Sequence, residues 1–179
     1  MLEKGGSHTT HHPSHSPPPP PPSPQPKTNK LTPSQHSPPV TLGWNHFLSA
    51  IRTQTTLPAD VRELAICRVA VVNRAWYEWM HHAPLASAAG VTPAGMDVCK
   101  DPAPLVLEAG CPEGSGLTEK QWVVLCYADE MTRSVEVREE TAERVRGEFG
   151  ERGTVEVTAT VSFRFFLLFF LGVFYVGSG

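Results

Sequence analysis

Residues 57–82 read LPADVRELAICRVAVVNRAWYEWMHH, and their pattern decides the fold. From Ala59 to Arg74, the residues Val61, Leu64, Ala65, Val69 and Val72 keep the i, i+3, i+4 spacing that lines one face of an α-helix. Ile66, Cys67 and Val71 spread apolar character over most of the circumference, so this helix is expected to be central and buried. Leu57-Pro58 marks its start, because proline suits the first turn, where its missing N–H would lack a partner anyway. A second helix is expected from about Trp76 to Ala89, stopping at Gly90, a natural left-handed residue beyond a helix end. Pro84 inside it predicts a kink, or a break after His82.

The same stretch holds the residues able to do chemistry. Glu63 lies early on the first helix. Glu78 and His82, four residues apart, share one face of the second. A carboxylate beside an imidazole orients the ring and raises its pKa, which makes a general acid/base pair. If the two helices pack antiparallel, Glu63 reaches the same spot, and burial there raises the carboxylate's pKa. His81 points about 100° away on the helix. A purely structural role fits the spacing as well: Arg62, Arg68 or Arg74 pairs with the carboxylates and His82 caps a helix end.

Working outward, Trp44, Phe47, Leu48 and Ile51 recur at helical spacing and predict a short amphipathic helix. Residues 91–116 are rich in Gly and Pro and read as a long loop holding at most a short helix. Thr118-Glu119-Lys120-Gln121 is a capping-box pattern that opens a helix through Met131. Ser134 is expected to cap the next helix, which ends near Gly150. Its charges form a solvated face with pairs such as Glu140 and Arg144. Residues 155–162, VEVTATVS, alternate with period two and are β-branched, so bare periodicity makes them a strand. Phe165 to Val176 is a run of twelve apolar or aromatic residues. That is short of the roughly twenty a membrane span needs, so no membrane association is expected.

Residues 1–42 hold twelve of the eighteen prolines and few aliphatics. Such a segment cannot bury enough apolar surface to offset its ordering entropy. It is expected to be a disordered Pro/Ser/His-rich tail, with polyproline II character at Pro17–Pro22. Its histidines, His8, His11, His12, His15 and His36, read as solvated, and no basic flank beside the prolines marks a peptide-domain ligand. The domain proper is expected over 43–179. The net charge of −3, with Lys and Arg scattered, does not suggest nucleic acid. The N-terminus has no apolar targeting core, and a cytoplasmic location is expected. Cys67, Cys99, Cys111 and Cys126 form no C-x-x-C, so neither a zinc knuckle nor a redox dithiol is encoded locally.

Three blocks in order carry a resemblance: L-P-x-x-x-R-E-L-A-I-C-R-V-A-x-x-x-x-x-x-Y-E-W-x-x-H, then L-T-E-K-Q-W-x-V-L-x-Y-A-D-E-M-T, then V-E-V-T-A-T-V-S. Together, over about Leu57 to Ser162, the chain resembles the carboxymuconolactone decarboxylase family. The resemblance implies an all-α, AhpD-like helical bundle behind the proline-rich tail, with VEVTATVS opening a long helix instead of a strand. In the alkylhydroperoxidase branch a Glu precedes a C-x-x-C with a His four residues on. Carried over, the Glu is Glu63, the two Cys positions are Ala75 and Glu78, and the His is His82. Both thiols are missing, which argues against peroxidase chemistry, since a thiolate must attack the peroxide and a second must resolve it.

The decarboxylase-like branch remains. It implies cofactor-free chemistry on a small carboxylated lactone or related ring, with Glu63, Glu78 and His82 as catalytic residues. Tyr77, Trp79, His81 and Asp129 are the candidate substrate-binding residues, and no metal ligands are expected. The alternative is a catalytically idle, AhpD-like oligomeric binding scaffold. Homo-oligomers are common in the family. After Ser162 the chain leaves the family pattern, and its apolar run is expected to be buried by a partner subunit.

Overall fold

The computed structural model describes residues 37–175, with side chains through residue 164. Residues 1–36 of the expected disordered tail, with its polyproline run and its histidines, lie outside the described residues, as do the last four positions, whereas residues 38–42, also expected in the tail, are helical. Six helices make up the described part: α1 (Pro38–Thr53), α2 (Ala59–Val72), α3 (Trp76–Ala88), α4 (Pro93–Lys100), α5 (Glu119–Ser134) and α6 (Glu139–Tyr175), with a 3₁₀ turn at Leu107–Ala109. No strand occurs among the described residues, and the fold is all-α.

Helix α2 is the centre. Val61 and every residue from Glu63 to Val71 are buried, as the near-continuous apolar circumference requires. It packs against α3, α4, α5 and α6. Val61, Leu64 and Val69 meet Val123, Val124 and Leu125 of α5 and Val145, Val157 and Val161 of α6 in one core. Each such side chain contributes about 1.5–3 kcal/mol by leaving water.

Arg68, beside this core, is wholly buried. Its Nε donates to Asp129 Oδ1 at 2.8 Å. Its other nitrogens donate to the carbonyls of Cys99, Asp101 and Ala103. Asp129 also accepts from Arg133 Nε at 2.9 Å and from the Leu105 amide at 3.1 Å. One guanidinium therefore ties α2 to α5 and to the loop after α4, and every donor finds an acceptor, as a buried charge needs.

Several local expectations change. The first helix starts at Pro38, before the boundary expected at residue 43. Pro84 sits inside α3 without ending it. The carbonyl it leaves unbonded belongs to Met80, on an exposed turn, where water can serve it. Thr118 opens α5 through the full capping box expected of it. Ser134 does not cap the next helix. It is the last residue of α5, Val135 follows in the left-handed region (φ 59°), and α6 begins at Glu139. The Glu130 carboxylate supplies the acceptor there, taking the Arg138 amide at 3.0 Å.

Gly150 (φ 68°, ψ −178°) breaks α6 into two helices, a conformation open to glycine. Beyond it, residues 155–162 are helical and not a strand. Val157, Thr160, Val161 and Arg164 form a buried stripe at helical spacing while Val155 is exposed. Thr154, Thr158 and Thr160 donate their hydroxyls to the carbonyls four residues earlier. That back-bonding satisfies polar β-branched residues inside a helix, and packing overrides the β pattern.

Candidate active site

The short connection at residues 73–75 turns α3 back beside α2, and Arg74 takes φ 56° to make that turn. Glu63 of α2 thereby meets His82 of α3, with Oε2 2.7 Å from Nδ1. Glu78, one turn before His82, places Oε2 3.5 Å from Nε2. Both carboxylates are buried, and the imidazole lies half-buried between them.

Helix α6 adds a residue absent from the sequence-based site. Arg164 is buried; its Nη1 pairs with Glu78 Oε2 and its Nη2 lies 2.7 Å from His82 Nε2. On the other side Arg62 Nε lies 3.3 Å from Glu63 Oε1. The signal for Arg164 was a lone cation in the apolar run SFRFFLLFF, readable as a charge that demands a buried partner.

Two carboxylates and two guanidiniums cancel, so the protonation of His82 decides the local charge. Burial pushes Glu63 up, yet the hydrogen bond and charge of His82 and the charge of Arg62 outweigh it and hold the carboxyl below its ordinary 4.5. The hydrogen bond with His82 is the largest influence on Glu78; with the Arg164 charge it overcomes burial and also lowers that carboxyl. His82 is opposed by burial and by Arg164, but its bonds to Glu63 and Glu78 prevail and raise it above 6.5.

A guanidinium has no acceptor, so the Arg164–His82 contact needs a lone pair on Nε2. In the neutral ring, Nδ1–H donates to Glu63 and Nε2 accepts from Arg164. Once Nε2 is protonated it must turn to Glu78, and Arg164 must withdraw. The cluster thus has two hydrogen-bond arrangements, separated by one proton.

Glu63, His81, His82, Arg62, Arg52 and Arg164 line the polar side of a cavity of about 330 Å³. The other sequence-based candidates fall elsewhere. Tyr77 is exposed and meets His81 edge-on, with ring centroids 4.4 Å apart. Trp79 packs against the core, under the ammonium of Lys100. Asp129 belongs to the Arg68 clamp. Glu78 stands behind His82 and Arg164, outside the cavity lining. The Cys67, Cys99 and Cys126 thiols are buried and free. Burial raises all three, Cys99 and Cys126 to about 12, so they stay protonated and weakly nucleophilic at neutral pH. No group of three or more His, Cys, Asp or Glu placed to hold a metal occurs among the described residues. No described helix is long and apolar enough to cross a membrane.

No curated protein and no solved structure gives a significant match to the chain. Residues 38–98 do match the model of the carboxymuconolactone decarboxylase family. That match spans α1 to α4 and includes Glu63, Glu78 and His82. Over that stretch the chain is similar to the carboxymuconolactone decarboxylase family.

Proposed function

We propose that the chain is a cofactor-free carboxy-lyase acting on a small carboxylated lactone or related ring. The observation that supports this most is the Glu63–His82 pair at 2.7 Å on the wall of a cavity that also holds guanidinium groups. In the proposed reaction a substrate carboxylate draws Arg164 off His82 Nε2. The bond between that carboxylate carbon and the ring breaks, and CO₂ leaves. The electron pair stays on the ring carbon and spreads onto the adjacent carbonyl as an enolate, which Arg62 and Arg164 stabilise. His82, protonated and held by Glu63, then delivers its proton to that carbon and becomes neutral. Glu78 takes no part in contact with substrate; it positions Arg164 and His82.

The test is an ultraviolet assay of decarboxylation of a carboxymuconolactone-type substrate. Glu63→Gln and His82→Ala are each expected to lose about 10²- to 10⁴-fold in turnover, with helical content unchanged by circular dichroism. Full turnover in His82→Ala would overturn the reading.

One observation favours a second reading. Both ring nitrogens of His82 are already engaged by protein groups, as in a cluster kept for structure. A well-folded parent without turnover, and with His82→Ala markedly less stable, would support an idle scaffold.

A further inference from the structure

The cations of the cavity are unequally committed. Arg62 engages Glu63, and Arg164 engages Glu78 and the His82 ring. Arg52, in the last turn of α1, lines the same cavity and is exposed. Its guanidinium makes no hydrogen bond or ion pair with any described residue. Leu48, Ile51, Ile66, Leu85 and Phe163 supply the apolar wall beside it. At about 330 Å³ the space falls at the small end of the roughly 300–1,000 Å³ of ligand sites, a size for one ring and its substituents.

We infer that Arg52 is the anion anchor of this cavity and selects small, flat acids whose carboxylate sits at the mouth while the ring lies on the apolar wall. A guanidinium presents a planar fork of donors that matches a carboxylate in bidentate fashion. Arg52 is also near enough for its charge to oppose that of Arg164, so an anion entering between them relieves a repulsion. A cation in the last turn of a helix is favoured by the helix dipole as well. That preference does not choose a direction around the helix, whereas Arg52 faces the site. The inference deepens the lyase reading by naming a specificity residue, and it rests on that reading only for what happens after binding.

The experiment is calorimetric titration of the purified chain with benzoate, and with benzamide as its uncharged counterpart. Benzoate is expected to bind the parent and to bind Arg52→Gln about tenfold more weakly. Arg52→Lys should fall between them, because it keeps the charge and loses the fork. Arg146→Gln, which removes an exposed cation paired with Glu151, should match the parent. Benzamide should bind weakly and equally to all four. Equal benzoate affinity in the parent and Arg52→Gln, benzamide binding as well as benzoate, or no binding by the folded parent would each overturn the inference. Arg52-dependent binding without turnover of a carboxymuconolactone-type substrate would leave the anchor standing and count against the lyase. Turnover with Arg52-independent binding would do the reverse.

Discussion

At His82 a single proton decides which neighbours the ring can keep, and its effect on stability has a definite sign. The imidazole is raised above 6.5, so its contribution is complete below that value and is lost as pH rises through the raised one. Glu63 and Glu78 are lowered from 4.5. Their contribution is present above 4.5 and is lost as pH falls through the lowered values. Thermal melts from about pH 2 to 9 should therefore weaken on both flanks. His82→Gln is expected to remove the His82 part of the alkaline fall, and Glu63→Gln to shrink the acid one. An alkaline flank identical in His82→Gln would show that other groups cause it. The Glu63, Glu78 and His82 constellation was legible because an i, i+4 pair and a tight antiparallel connection fix it locally. Arg164 was not, since nothing in a linear reading says which helix a distant cation will meet.

Among the elements, capping is where sequence and structure agree best and also part company. Thr118→Ala is expected to cost about 1 kcal/mol, because the Thr118 hydroxyl accepts from the Gln121 amide while Gln121 returns the bond. Ser134→Ala should stay within about 0.5 kcal/mol, because Ser134 ends α5 and caps nothing. Urea denaturation of both variants checks the pair, and equal losses would contradict the assignment. The capping box could be read because all its partners lie within four residues. The start of α6 could not, because its acceptor comes from Glu130 on the preceding helix. Residues 155–162 failed under periodicity for a related reason. The alternation of valine and threonine is real, but a helix also buries Val157 and Val161, which lie four apart, and threonine hydroxyls can bond back along it.

Across the whole molecule, Arg68 is the residue on which most segments depend. Its buried guanidinium joins α2, α5 and the loop after α4. Arg68→Ala leaves Asp129 with Arg133 and the Leu105 amide and strands three carbonyls. It is expected to destabilise the protein by about 3–5 kcal/mol, read from chemical denaturation, whereas the exposed Arg146→Ala should stay near parent. A loss below about 1 kcal/mol would mean that the loop is held by something else. The sequence offered Arg68 only as one of three possible partners for Glu63 or Glu78, because pairing across 61 positions leaves no local trace. The same contrast of distances sets an order in time. Glu63 and His82 are 19 positions apart, whereas Arg164 and Glu78 are separated by 86. Closing the longer loop costs more chain entropy and waits on the docking of α6. The hairpin of α2 and α3 is thus expected to bring Glu63 and His82 together first, and Arg164 to latch onto Glu78 only when α6 docks.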